Sequence, residues 1–479
     1  MNKSIIRYLV SRVIQFEGVF LLLPCIVSLI YKEKIGFWYL LVAVAAGLIG
    51  TLGAFVKPQS KVFYAKEGFV TVSLSWILLS LIGALPFFLS GEIPSYTDAL
   101  FETVSGFTTT GATILTDVEI MSKAGMFWRC FTIWVGGMGV IVFIMAVVPL
   151  SGSYNLHLMR AESTGTDVGK LVPKIKDTAK ILYGMYLGLS ILLFISLSVA
   201  GLGLYDAIVM VFSTMGTGGF GNYNDSLAGF SKAVQIINVV FMFLCGINFN
   251  AYFCIVRKKF KDILHIEEIR WYVCIVAIAS VSIALSIKAD YANFGDAFHA
   301  SIFQVVSIMT TTGYSTVDFE LWPMFCKVLL LFVMVLGGCA GSTSGGIKVS
   351  RGVILFRTIK REIEKLIHPR SVKKVRMDSK ALSEETVGSV VSFFAAYVMI
   401  LIISVIVVSL DNFDFGTTFS SVLSMVGNVG PGIGMVGPTG NFSIFSPCSK
   451  LMLIFDMLAG RLEILPMFVL LYFRTWKRD

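Results

Sequence analysis

A short Thr/Gly-rich stretch recurs four times along this chain of 479 residues, each time between two long apolar segments. The copies read T-T-T-G-A-T (Thr108 to Thr113), G-T-G-G-F-G (Gly216 to Gly221), T-T-T-G-Y-S (Thr310 to Ser315) and G-N-V-G-P-G (Gly427 to Gly432). Superposed, they set a glycine in register at Gly111, Gly219, Gly313 and Gly430, at intervals of 108, 94 and 117 residues. The preceding pairs are Thr109-Thr110, Thr217-Gly218, Thr311-Thr312 and Asn428-Val429, so glycine is the residue that all four keep. Only glycine takes left-handed backbone geometry without steric cost, and that freedom lets successive carbonyls face one way.

A helix-like stretch precedes each copy, as at 95–107 before the first. Thirteen residues at ~1.5 Å each reach roughly 20 Å, short of a ~30 Å hydrocarbon core. A half-length helix followed by irregular backbone is tolerated at membrane depth only where protein buries it or where it lines a polar cavity. Four such hairpins about one axis aim carbonyls at a common point, the arrangement that strips a cation of water and holds it. Neutral hydroxyls and carbonyls suit a large monovalent ion; calcium or magnesium would recruit carboxylates. The candidate filter is therefore Thr109, Thr110, Gly111, Thr217, Gly218, Gly219, Thr311, Thr312, Gly313, Asn428, Val429 and Gly430. Small-residue packing between spans is the plain alternative.

Apolar residues make up 56% of the chain and charged ones 14%, which a water-soluble surface does not allow. Ten segments have the length and composition of spans: 8–30, 36–56, 68–90, 124–150, 178–201, 233–256, 271–288, 324–347, 387–410 and 449–473. With the N-terminus inside, cytoplasmic segments hold 30 Lys and Arg against 8 at the outer edge, which puts both termini in the cytoplasm and the Thr/Gly loops toward the outer face. The net charge of +9 thus reflects topology and anionic lipid, and no nucleic-acid partner is implied. Glu92, Asp98, Asp117, Glu119, Asp206, Asp225, Asp318, Glu320 and Asp414 fall on the outer side, where they form either an acidic vestibule that concentrates cations or ordinary solvated loops.

The expected fold is an all-α polytopic membrane protein of about ten transmembrane helices. An N-terminal two-helix hairpin (1–66) precedes four pseudo-symmetric repeats, each helix, pore helix, filter loop, helix. Their bounds are 67–176, 177–269, 270–385 and 386–479, the third including a basic cytoplasmic segment at 348–380 with eleven Lys and Arg. That segment reads as partly helical up to Pro369. It is a platform for lipid headgroups or a cytosolic partner, or simply a positive-inside loop.

Two features break the apolar pattern. In the eighth segment the chain reads G-G-C-A-G-S-T-S-G-G, that is Gly337, Gly338, Cys339, Ala340, Gly341, Ser342, Thr343, Ser344, Gly345 and Gly346. Five glycines in ten residues do not hold a helix, since each costs about 1 kcal/mol relative to alanine, so a flexible gate just below the filter is expected, with a GxxxG packing break as the alternative. In the last segment Arg461 sits at membrane depth, where a charge is functional by default. It is expected to reach the carbonyls of the 337–346 loop and to repel a cation in the path; pairing with a carboxylate such as Glu463 is the alternative.

Other patterns carry no chemistry. Gly216 to Gly221 and Gly432 to Gly437 match G-x-G-x-x-G, yet neither follows a strand in a βαβ unit. Gly341 to Lys348 approaches a P-loop without its strand. The four histidines (157, 265, 299 and 368) are scattered, and His299 reads as a hydrogen-bonded structural residue. The eight cysteines lack C-x-x-C spacing and read as small core residues. The basic, apolar N-terminus lacks an A-x-A-like cleavage site and is expected to be a retained helix. Clustered His, Asp or Cys for an embedded enzyme are missing.

These residues resemble the Trk/Ktr/HKT superfamily of potassium transporters, and within it the bacterial TrkH family. The similar stretches are F-E-T-V-S-G-F-T-T-T-G-A-T (101–113), W-V-G-G-M-G-V-I-V (134–142), R-A-E-S-T-G (160–165), P-K-I-K-D-T-A-K (173–180), F-Q-V-V-S-I-M-T-T-T-G-Y-S-T (303–316), G-G-C-A-G-S-T-S-G-G-I-K (337–348) and G-R-L-E-I (460–464). The N-terminal hairpin favours TrkH over KtrB. The resemblance implies potassium ion uptake across the bacterial cytoplasmic (inner) membrane, with the ion as cargo and no organic cofactor. It implies a homodimer, gated by a cytosolic nucleotide-binding TrkA-like ring. The filter glycines, the gate at 337–346 and the gate-facing arginine at 461 carry over. Gly111, where sodium-passing plant relatives have serine, favours potassium. A symporter coupling K⁺ to H⁺ or Na⁺ is the alternative, against which the pore spans offer few buried carboxylates.

Overall fold

The computed structural model describes residues 1–58, 63–139, 175–259, 263 and 265–476. The end of the fourth apolar segment (140–150), His157, the motif at 160–165 and the start of the motif at 173–180 lie outside them. Helix dominates. Among the described residues the strands are two short ones, Arg376–Met377 and Lys380–Ala381, paired antiparallel in the basic 348–380 segment and just beyond it.

Six helical stretches are long and apolar enough to cross a bilayer: Lys3–Tyr31, Gly36–Phe55, Ala65–Ser90, Thr178–Val199, Glu267–Asp290 and Glu384–Asp411. They form the N-terminal hairpin and the first leg of each repeat. Their many exposed apolar side chains, such as Leu29, Leu52, Ile278 and Ile406, match a surface solvated by lipid tails. The hairpin is more than an appendage. Its turn carries Glu33, whose carboxylate accepts the Lys123 and Ala124 N–H groups at 2.7 and 3.0 Å, capping the second leg of the first repeat.

The second legs differ from the sequence expectation. Segments 124–150, 233–256 and 449–473 are expected to run through as single helices; within the described residues the helix of the first ends at Gly139, and the other two are broken, as is the leg that carries the glycine-rich loop. Lys123–Met138 ends at Gly139 with φ 81°. Lys232–Cys245 and the helix that starts at Phe249 meet at 96°. Met324–Leu336 and Val349–Ile367 flank the glycine-rich loop. Pro447–Arg461 and Leu465–Leu471 are separated at Glu463 and Ile464, whose φ values are 56° and 66°. The breaks fall at G-G-M-G, C-G-I-N-F and G-R-L-E-I-L-P, where glycine weakens the helix and Pro466 starts a new one.

Between the legs run four short helices: Tyr96–Phe107, Leu204–Gly216, Phe294–Met309 and Phe415–Gly427. Three are capped by a side chain, from Ser95, Asn293 and Asp414. His299, in the third, bonds Gln235 Oε1 at 2.8 Å through Nε2, tying that helix to the second repeat. Cys130, Cys245, Cys326 and Cys339 are buried as expected; Cys274 and Cys448 are exposed instead.

Candidate functional site

Each short helix ends in the same way. A backbone N–H two or three residues past its last residue donates back to a serine carbonyl: Thr110 to Ser105 (2.8 Å), Gly218 to Ser213 (3.0 Å), Thr312 to Ser307 (2.8 Å) and Val429 to Ser424 (3.0 Å). One residue earlier, Thr109, Thr217, Thr311 and Asn428 donate to Gly106, Thr214, Ile308 and Met425 at 3.0–3.2 Å. This pair of bonds is the Schellman motif, whose turning residue must be left-handed. That residue here is Thr109, Thr217, Thr311 or Asn428, with φ of 55, 55, 57 and 53°. A β-branched residue with positive φ is an outlier, and such strain costs of order 1–3 kcal/mol per residue, so three threonines held this way mark a site over-determined by its surroundings.

Two residues on, the four glycines turn left-handed again, with φ of 76, 70, 81 and 103°. Here the loops meet. A Cβ on Gly111 would lie 1.7 Å from the Gly218 oxygen, one on Gly219 2.0 Å from Thr312 O, one on Gly313 2.4 Å from Val429 O and one on Gly430 2.7 Å from Thr110 O. Each glycine thus abuts the carbonyl just before the glycine of the next loop, and the fourth returns to the first. The contact closes into a ring. Outside it lies a cavity of about 160 Å³ lined by all four glycines, with Phe220, Asn224 and Ser315 among its walls.

The opposite side of the ring is covered by the Gly337–Gly346 loop. Gly345 N–H donates to Thr311 Oγ1 at 2.7 Å, Gly346 N–H to Gly427 O at 3.0 Å, and Thr217 Oγ1 bonds Thr343 Oγ1 at 3.3 Å. Its ends are pinned together, Ile347 and Lys348 donating to Val335 and Leu336 at 3.1 and 2.8 Å. The Lys348 ammonium, itself buried, folds back onto Ser344 O. Arg461 is 8% exposed and donates to Thr343 O at 2.9 Å and to the carbonyls of Gly136 and Gly137, so one cation ties the loop to the broken leg of the first repeat. Glu463 lies elsewhere, paired with Arg351, whose guanidinium stacks over Phe393.

A family model described as "TrkH: Cation transport protein" matches residues 39–475. The chain belongs to the TrkH family. It is 35% identical to the Trk system potassium uptake protein TrkH of Salmonella typhimurium, over 99% of both chains, and 33% identical to TrkG of Escherichia coli over the whole of both. Among solved structures it is similar to the crystal structure of the potassium transporter TrkH from Vibrio parahaemolyticus, with a TM-score of 0.89, 33% identity and full coverage of both chains. The TrkH-family fold is all-α and multi-pass, as the sequence led us to expect.

Within this TrkH-family chain, the twelve residues singled out around the glycines stand together in the ring, and the ten of the glycine-rich loop stand beneath it with Arg461. The acidic vestibule is not part of this cavity. None of the outer carboxylates lines the cavity outside the ring. They brace loops and helix ends instead: Asp98 pairs with Lys450 at 2.6 Å, Asp206 accepts from Asn222, Glu320 holds Lys327 and the Gly434 N–H, and Asp414 caps its helix. Hydrogen bonds from Asn224 and from the Glu119 N–H keep the Asp117 carboxyl below its usual range.

Sequence reading missed Glu102 and Arg129. Their buried ion pair (2.5 Å) joins two loops: Glu102 also accepts from Thr113 Oγ1 and Ile114 N–H, while Arg129 donates to Gly221 O and lies 3.6 Å over the Phe220 ring. A charge pair inside an apolar run was the available signal, since an isolated glutamate in a half-length membrane helix needs a cation nearby. The serine six residues before every filter glycine was a second signal.

Proposed function

We propose that the chain takes up potassium ions across the bacterial cytoplasmic membrane through a channel-like pore, with both termini inside. The ring of Thr109 to Gly111, Thr217 to Gly219, Thr311 to Gly313 and Asn428 to Gly430 is its selectivity filter. The observation that carries this reading is the closed circuit of glycine-to-carbonyl contacts, which crowds backbone oxygens of four loops around one axis without a carboxylate. Desolvated carbonyls in that number suit a weakly hydrated monovalent cation. The printed names of the relatives, a potassium uptake protein and a potassium transporter, support potassium as cargo.

The 337–346 loop is the gate and Arg461 its anchor, a reading supported by the loop's bonds to Thr217, Thr311 and Gly427 on one side of the ring. The pore works as a homodimer under a cytosolic nucleotide-binding TrkA-like ring. The resemblance supports both, and the exposed Lys360, Lys365, Arg370 and Lys374 offer such a ring a basic face. The test is ion flux into liposomes holding purified protein, with K⁺, Rb⁺, Na⁺ and Li⁺ gradients in turn. Preference for K⁺ and Rb⁺ driven by their own gradients supports the channel. Accumulation of K⁺ that requires a proton or sodium gradient would replace it with symport.

A further inference from the structure

The 337–346 loop is held from the cytoplasmic side by one carboxylate. Ala340 N–H, on the loop's first limb, donates to Glu268 Oε1 at 2.7 Å, and the same oxygen accepts the Ser350 N–H at 3.0 Å. Ser350 belongs to the first turn of the Val349–Ile367 helix that continues from the loop. Glu268 is 4% exposed, so these bonds form away from competing water. It therefore clasps the loop to the helix that follows it, from the start of the Glu267–Ile287 helix, the first leg of the same repeat.

The residue beside it faces the other way. Glu267 binds the Arg357 guanidinium at 2.8 and 3.3 Å and accepts the Asp378 N–H at 3.3 Å, while its own N–H donates to Asp378 Oδ1 at 2.7 Å. Arg357 also donates to Arg376 O at 2.5 Å. Arg376 and Asp378 belong to the exposed cytoplasmic β-hairpin. Consecutive glutamates at one helix end thus grip the loop inside the membrane and the hairpin outside it.

We propose that Glu268 is the positioning residue that latches the loop shut, and that Glu267 beside it makes the Arg376–Ala381 hairpin the handle by which a cytosolic partner releases it. The proposal rests on the reading of 337–346 as the gate. A pull on the hairpin turns the first residues of the 267–287 helix. Glu268 turns with them, and Ala340 and Ser350 lose their shared acceptor together. The loop then keeps its bonds to Arg461 and to the ring but has lost its hold on the cytoplasmic side, and it leaves the ring more readily without any change in the ring itself.

The test uses the full-length protein in liposomes, with Cys339 in the loop as reporter and the other seven cysteines replaced by serine. A membrane-impermeant thiol reagent is added from the cytoplasmic side and K⁺ flux is read in parallel. Cys339 is fully buried, so the parent should label slowly. Glu268→Gln should speed labelling and raise resting flux by about tenfold each, the scale of one lost charge-assisted bond, while the K⁺/Na⁺ ratio stays at the parental value. Glu268→Asp should lie between. Arg357→Gln, at the partly exposed hairpin end, should move both readouts the same way and carries the test if the Glu268 variants fail to fold. Parental labelling and flux in Glu268→Gln or, failing its folding, in Arg357→Gln, together with raised flux on shortening the loop, would overturn the latch and leave the gate standing. No rise on shortening the loop would remove the gate, and the latch with it.

Discussion

Alanine placed at each of the four ring glycines in turn gives a graded test of the filter. At Gly111 the new Cβ starts 1.7 Å from Gly218 O, and real Cβ contacts do not go below 3.0 Å, so the second loop must retreat by about 1.3 Å. Working sites tolerate displacements of about 0.5 Å, and the obstacle is backbone, which does not rotate away as a side chain does. Left-handed backbone at alanine adds roughly 1–2 kcal/mol of strain. A filter splayed that far should lose about 1.4–2.8 kcal/mol of ion preference, a tenfold to hundredfold fall in the K⁺/Na⁺ flux ratio. The starting distances at Gly219, Gly313 and Gly430 are 2.0, 2.4 and 2.7 Å, so the loss should diminish in that order. Bi-ionic flux in liposomes reads the ratio, and chromatographic behaviour in detergent verifies folding. Gly111→Ser should follow Gly111→Ala. A folded Gly111→Ala protein with parental selectivity, or a Gly430 variant worse than it, would refute the argument from the ring.

Arg461→Ala removes donors from Thr343, Gly136 and Gly137 and should raise resting K⁺ flux by about tenfold with selectivity unchanged; shortening the loop should do the same, and flux as low as the parent's in both would make the loop structural. Arg129→Leu leaves Glu102 buried without its cation and should cost about 3–5 kcal/mol, seen as a lower unfolding temperature in detergent. The Glu102→Gln/Arg129→Leu double variant should recover part of that loss, and strictly additive effects would show the two charges to be uncoupled. Charge reversal at Lys360, Arg361, Lys373 and Lys374 should weaken capture of a nucleotide-binding cytosolic ring, as should rising salt. Arg361 and Lys373 already pair with Glu384 and Glu364, so reversal of Lys360 and Lys374 alone should account for most of the effect.

What could be read from the chain was whatever repeats or breaks a pattern locally. Four glycines in register gave the half-length helices, and five glycines in ten residues gave the irregular loop, because backbone freedom is a property of residue type. The breaks at Gly139, Gly246 and Glu463 were lost in long apolar runs, since one glycine or a following proline is tolerated in many membrane helices. The outer carboxylates misled for a related reason. The charge pattern groups these acids on one expected side, but whether each caps a helix or faces the central axis depends on which way the helix start points. Glu268 was invisible. Nothing within a few residues of it hints at Ala340, 72 residues away, and only the folded chain brings them together.

A Cβ added at the four junctions would meet the next loop's carbonyl at distances from 2.7 Å down to 1.7 Å, so the ring's four quarters are unequal members of one polypeptide. A pore assembled from four identical subunits receives every amino-acid change in quadruplicate, and a variant tolerable once can be ruinous four times over. Here each quarter carries its own codons. Asn428 and Val429 can stand where the first loop has two threonines, and Gly218 can replace a third, with the rest of the circumference left intact. With the ring as the proposed filter, ion preference in such a chain is open to adjustment one quadrant at a time.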